Sequence, residues 1–197
     1  MSARRALSRG IAVLALALLA GCAGRDDSRP RNVENACAMF ADRPHWRAAI
    51  RDSERKWGAP AEVQLAIIWR ESSFQGDARP PRGQVLGFIP TARASSARGF
   101  PQAIDGTWDW YRRETGNRGA RRDVFRDSAD FVGWYMAKTQ SSNRVPMSDA
   151  FRHYLNYHEG HAGYRSGRWR SNPNVQRAAS QVEGKAAEYR VQLARCG

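Results

Sequence analysis

The chain has 197 residues, with 32 Lys and Arg against 19 Asp and Glu, for a net charge of +13. That length suits one domain with a real core. The charge calls for an anionic partner: nucleic acid, acidic lipid or a carboxylate-bearing polymer. The first residues narrow the choice. Arg4, Arg5 and Arg9 form a positive n-region, and Ile11 to Leu19 an apolar stretch too short to span a bilayer. Together they read as a secretory signal over residues 1–21. Export sets nucleic acid aside. The leader holds only three of the arginines, so the exported part stays strongly basic.

The leader closes on Leu19-Ala20-Gly21-Cys22, which resembles a bacterial lipobox. The resemblance implies cleavage before Cys22 and its acylation, giving a lipoprotein held to a membrane by its anchor. Ala23 at the next position implies the outer membrane, with the protein facing the periplasm. A plain signal peptide with a chance cysteine is the alternative. Residues 22–36 are polar, with little to bury, and read as a tether. The domain is then 37–197. Cys37 and Cys196 remain, and in an oxidising compartment they are expected to pair as a staple between the ends of the domain.

Pro44 opens a helix in which Trp46, Ile50, Ser53 and Trp57 recur at helical spacing, and Gly58 closes it. Pro60 starts the next. Behind it, Val63, Leu65, Ala66, Ile67, Ile68 and Trp69 form a nearly unbroken apolar run, the mark of a buried helix. From Gln75 to Phe100 no period survives, and glycines and prolines punctuate the stretch. It reads as a long ordered loop, with Val85 to Ile89 as a packing patch. Helix returns at Asp105 or Thr107 and ends near Gly116. Further helices are expected to start at Ser128, at Ser148 (stopping at Gly160) and at Pro173. No stretch reads as a strand, so the fold class is all-α.

Arg70 and Glu71 end the apolar helix. A carboxyl there is costly to ionise and its pKa rises toward neutrality, as a general acid requires. The alternative is that the pair marks the helix returning to water. Tyr111, Tyr164 and Trp169 fall outside the strongest core stripes and are candidates for stacking on a flat ligand face, or else core residues. His158, Glu159 and His161 evoke a zinc site. The metalloprotease pattern, however, needs histidines four apart on one helix, and here they are three apart with Gly160 between. No G-x-S-x-G is present.

Three segments resemble the motifs of the lysozyme-like lytic transglycosylases of the soluble-lytic-transglycosylase (SLT) type, over roughly Trp46 to Tyr164. Glu71-Ser72-Ser73-Phe74 matches the family's E-S-x-F segment, with Glu71 on its single catalytic acid. Gly99-Phe100-Pro101-Gln102, followed by Thr107-Trp108, resembles its G-L-M-Q segment, with Gln102 lining the saccharide groove. Tyr157-His158-Glu159-Gly160 stands where the family has A-Y-N-A-G, with Tyr157 on the aromatic that faces the acid. Pro101, Ala103, His158 and Glu159 depart from the pattern, and the loop between the first two motifs is longer than usual.

The resemblance implies a lysozyme-like helical domain acting on peptidoglycan glycan strands without a metal or cofactor. In the implied chemistry Glu71 protonates the leaving oxygen, then as carboxylate takes the C6 proton of the muramic acid, closing a 1,6-anhydro ring. Ser72, or else Ser73, would hydrogen-bond substrate or Glu71, and Gln102, Tyr157 and Glu159 would complete the binding set. Two other readings stay open. One is a muramidase similar to goose-type lysozymes, with Glu159 activating water. The other is a non-catalytic peptidoglycan-binding lipoprotein that scaffolds an envelope machine. An enzyme of this kind also suits a secretion or conjugation apparatus. For Glu159 the structural alternative is a pair with Arg165 or Arg168.

Overall fold

The computed structural model describes residues 26–85, 89–93 and 95–196. The signal segment and Cys22 lie outside the described residues. Among the described residues seven α-helices carry the architecture: α1 (Ala36–Asp42), α2 (Pro44–Trp57), α3 (Ala61–Ser72), α4 (Asp105–Thr115), α5 (Phe125–Asn143), α6 (Ala150–Ser166) and α7 (Pro173–Cys196). A 3-10 turn, Arg168–Ser171, joins the last two. Among the described residues no helix is long and apolar enough to cross a membrane.

Helix α3 is the hub, packed against α7, α5 and α2. Val63, Leu65, Ala66, Ile67 and Ile68 are all fully buried, each large side chain contributing about 1.5–3 kcal/mol relative to exposure. Gln64 is buried among them, its Nε2 donating to Ala59 O at 2.7 Å while its Oε1 finds no hydrogen-bond partner among the described residues. The second major contact is α2 on α5. It is close because Gly133 has no side chain: a Cβ there would stand 2.2 Å from Ser53 Oγ.

Trp46 sits at the centre of a second, aromatic core. It stacks on Phe125 at 3.8 Å between ring centroids and lies 5.7 Å from Phe74 and 5.5 Å from Phe100. These four rings come from α2, the end of α3, the 99–102 turn and the start of α5. One cluster therefore holds in place the segments that carry two of the three motifs.

Of the tether expected over 22–36, residues 22–25 lie outside the described residues, and the rest is bound to the helices. Residues 26–36 lie on the domain. Asp27 accepts from Trp46 Nε1 at 2.7 Å and from the Phe125 amide at 3.1 Å, capping α5 from outside the helix. Val33 is buried, and Asn35 caps α1 by accepting from the Ala38 amide. Composition alone hid this, because the segment binds through polar side chains and backbone with little apolar surface.

Other boundaries move as well. Helix α5 begins at Phe125, and Ser128, expected as its cap, is buried inside with its hydroxyl donating to Arg122 O. Helix α6 runs through Gly160 to Ser166, but Gly160 takes φ 73° and ψ 160°, so the helix is kinked where a stop was expected. The loop expected to be strandless contains a short antiparallel hairpin, β1 (Arg82–Val85) and β2 (Ile89–Arg93), paired Arg82 with Arg93 and Val85 with Ile89. With Gly83 and Pro90 in such short strands there is no alternating pattern to read. The expected packing of Val85 to Ile89 concerns side chains outside the described residues.

Cys37 and Cys196 form a disulfide with their Cα atoms 5.8 Å apart, joining α1 to the end of α7.

Candidate active site

The site begins where α3 ends. Ser73 is the helix C-cap at φ 49°, and Phe74 follows at φ 59°, two consecutive non-glycine residues in the left-handed region. Such residues cost on the order of 1–3 kcal/mol each and persist where surroundings over-determine them. Here the burial of Phe74 beside Trp46 does so, swinging its ring into the core while Glu71 stays at the mouth. Arg29 of the N-terminal segment locks the outside of this turn, donating Nε to Ser73 O at 2.9 Å.

Glu71 opens on a cleft of about 450 Å³ that it shares with Ser73, Gln75, Asp77, Arg79 and Gln102. Desolvation by the surrounding protein pushes its carboxyl up to about 7, against the opposing pull of a hydrogen bond from Tyr154 and the charge of Arg70. The acid is therefore poised to hold its proton near neutral pH and to release it. Tyr154 was not among the expected site residues. It lies one turn before Tyr157 on the same face, and that spacing is the signal that could have found it.

The 99–102 turn forms the far wall. The Gly99 amide donates to Ala78 O at 2.9 Å, and Arg98 bridges Ala103 across the turn. Gln102 sits at φ 47° and spends its amide on the turn itself, Nε2 donating to Gly99 O at 2.7 Å and Ala78 O at 3.0 Å. Its backbone is strained and its side chain braced, so the cleft meets a rigid edge. Tyr157 braces the same turn from behind, its hydroxyl donating to Pro101 O at 2.6 Å. Burial and the nearby Glu71 charge hold that phenol well above its ordinary pKa, so it remains a neutral donor.

The remaining expected site residues divide. Ser73 lines the cleft. Ser72, favoured as a substrate contact, also borders it, but the residue is buried and its hydroxyl donates back to Ile68 O at 3.2 Å within α3. Glu159 does not line the Glu71 cleft. It borders a separate depression with Trp110 and His161, bound to Arg168 Nε at 2.7 Å and to His158 at 3.1 Å. The Arg168 guanidinium holds its carboxyl below the usual range. Arg168 is thus the partner, while Arg165 turns to Asn143.

His161 stacks on Tyr135 and meets Thr139 through Nε2, and burial pushes its pKa down to about 4. Tyr111, a stacking candidate, is fully buried with its hydroxyl donating to Asp130 at 2.6 Å, a core residue. Tyr164 and Trp169 stack on each other and are half-buried against the core.

Asp77 was not anticipated. It is the second carboxylate of the cleft, and its position six residues after Glu71 in an aperiodic loop gave no pattern to read.

The described residues thus bring Glu71, Ser73 and Gln102 to one cleft, brace it with Tyr154 and Tyr157, and hold Glu159 apart. Comparison with known proteins adds a family. The family model described as the Transglycosylase SLT domain matches residues 10–196. No curated protein matches the chain. The match covers almost the whole sequence and coincides with a helical fold of the lysozyme-like kind, with an acid at the end of its central helix. The chain therefore belongs to the SLT family of lysozyme-like lytic transglycosylases.

Proposed function

We propose that the protein is a murein lytic transglycosylase that cleaves the β-1,4 bond between N-acetylmuramic acid and N-acetylglucosamine and leaves a 1,6-anhydro end. Family membership supports transglycosylase-type chemistry on cell-wall glycan. The observation that carries the finer reading is Glu71, an acid in an open cleft whose desolvated carboxyl is held near pKa 7.

Protonated Glu71 gives its proton to the glycosidic oxygen as the bond to the muramic-acid C1 breaks. The positive charge at C1 is taken by the C6 hydroxyl of the same sugar, whose proton passes to the Glu71 carboxylate. One C–O bond breaks and one forms, the proton returns to the enzyme, and no water is consumed. Tyr154, beside Glu71, favours the charged form of the carboxyl and so stabilises the intermediate charge state. The Ser73 hydroxyl is placed for a sugar polar group, and the braced Gln102 edge sets the register of the strand.

The cellular setting follows from the same reading. Cys22 carries lipid, and the domain faces the wall from the outer membrane. Mass measurement of the mature N-terminus checks this: an unmodified Cys22 overturns the anchor.

A muramidase is the second reading, and Asp77 is the observation that favours it. An exposed carboxylate in the same cleft is a base for water, if it stands across the sugar from the acid. Digestion of purified sacculi separates the readings by mass spectrometry of the soluble products. Anhydro ends are expected from the wild type and also from Asp77→Asn. Reducing ends that vanish in Asp77→Asn would make the protein a hydrolase. No soluble products would make it a binding scaffold.

Glu159→Gln is expected to leave the product unchanged and the rate within about threefold. The pair with a largely exposed Arg168 contributes roughly 0–1 kcal/mol to stability, so the melting temperature should barely move. A switch in product type would return Glu159 to the chemistry.

A further inference from the structure

Beside the Glu71 cleft lies a larger cavity of about 720 Å³, walled by residues 76–79, 98–99, α4 and residues 118–123. Its charge balance is unequal. Six arginines border it against four aspartates. Three pairs form: Arg122 with Asp105 at 2.7 Å, Arg121 with Asp123 at 2.7 Å and Arg112 with Asp109 at 3.5 Å. Among the described residues Arg79, Arg98 and Arg118 have no carboxylate within ion-pair distance, and all three are exposed.

The back wall is built rather than incidental. The Arg122 side chain is only 4% exposed, its guanidinium stands 5.4 Å from the Trp108 ring centre, and its Nε is buried without a hydrogen-bond partner. Its carbonyl is fixed twice, accepting from the Phe100 amide at 3.0 Å and Ser128 Oγ at 3.0 Å. Gly99 allows that approach: at φ +74° it lies so close that a Cβ would stand 2.2 Å from Arg122 O. The turn that edges the cleft therefore also positions the buried cation of the cavity.

Asp77 and Arg79 border both spaces, so a group branching from a sugar above Glu71 enters the cavity directly. In a peptide-bearing strand the N-acetylated glycan backbone is neutral, because the lactyl carboxyl of each muramic acid is tied up in its amide to the peptide. The carboxylates of a murein strand sit on the peptides attached to muramic acid, and guanidinium groups bind carboxylates with two parallel hydrogen bonds. We infer that this cavity is a subsite for the carboxylates of the stem peptide, making the protein selective for peptide-bearing strands. The inference rests on the proposed glycan substrate in the neighbouring cleft.

The test uses the whole domain and a soluble stem tripeptide, alanyl-γ-glutamyl-diaminopimelate, which has no glycosidic bond to cleave. Calorimetric titration at low salt should show binding, weakened at least tenfold when the peptide carboxylates are amidated. It should weaken as much in R98Q/R118Q, whose positions are exposed and do not line the Glu71 cleft. In turnover, the wild type should cleave peptide-bearing strands with a KM at least tenfold below that for the same strands with their peptide carboxylates amidated. The double variant should lose that difference while cleaving the amidated strands as the wild type does.

Equal binding of the amidated peptide, unchanged binding by the double variant, or displacement by inorganic phosphate at equal affinity would overturn the assignment. A loss of turnover on both strand types alike would do so too. Because the titration needs no cleavage, peptide binding without any glycan product would count against the proposed reaction and leave the subsite standing.

Discussion

Glu71→Gln removes turnover of sacculi while leaving the fold in place. The amide is nearly isosteric and the residue ends a helix whose burial comes from its apolar neighbours. Loss of a general acid costs typically about 10²–10⁴ in rate, and more where the group also serves as base. Activity within threefold of wild type would end the assignment. The pH profile gives a second readout. With its carboxyl at about 7, wild-type kcat/KM should fall as pH rises past neutrality, because the acid arrives without its proton.

Stability should move in a related way. The folded pKa is raised, so the folded state holds the Glu71 proton over a range where the unfolded chain has released it. This contribution is fully present below the ordinary value of 4.5, declines as pH rises, and is lost above about 7. Glu71→Gln removes this slope, so relative to wild type it should melt higher at pH 8 than at pH 4. Identical pH dependence of the two melting curves would mean that the carboxyl is not desolvated.

Opening the Cys37–Cys196 bridge produces the largest expected change in stability. The bridge closes a sequence separation of 159 residues, for which the loop-entropy model gives about 5 kcal/mol, and measured losses of native disulfides run about 2–5 kcal/mol. For a domain of this size that corresponds to roughly 4–20 °C in melting temperature.

The folded ends are also held without the bridge. Gln192 accepts from the Ala36 amide at 2.7 Å and donates to Glu34 O at 3.1 Å, and Lys185 pairs with Glu34 at 2.6 Å. Cys37→Ala/Cys196→Ala should therefore fold and keep its activity at 25 °C, because the cleft is built from residues 71–80 and 102. A melting temperature unchanged by full reduction would show that the staple adds nothing.

What the sequence by itself determined is local and periodic. The apolar run from Val63 to Trp69 reads as a buried helix because no face of it is polar, and it is the hub of the fold. The placing of Glu71 at its end follows from the same few residues, and burial alone accounts for the direction of its pKa. The helix stops at Gly58 and Gly116 are legible because each residue takes a left-handed conformation that glycine adopts freely. The cysteine pair follows from counting.

What only the tertiary structure decided depends on contacts between residues far apart in the chain. Asp27 on Trp46 and Phe125, or Arg29 on Ser73, cannot be read from the polar composition of residues 26–36. The side on which a carboxylate lies is equally nonlocal. Glu159 belongs to Arg168 because Gly160 kinks α6 and the chain folds back at Gly167, while Asp77 reaches the cleft along an aperiodic loop. Ser72 and Ser73 are neighbours of like chemistry. Ser72 is still helical and its hydroxyl returns to Ile68 O, while Ser73, in the left-handed turn, lines the cleft. Periodicity reports which face of an element is buried. Which partner a polar side chain meets is set by how the elements pack, and no local pattern encodes it.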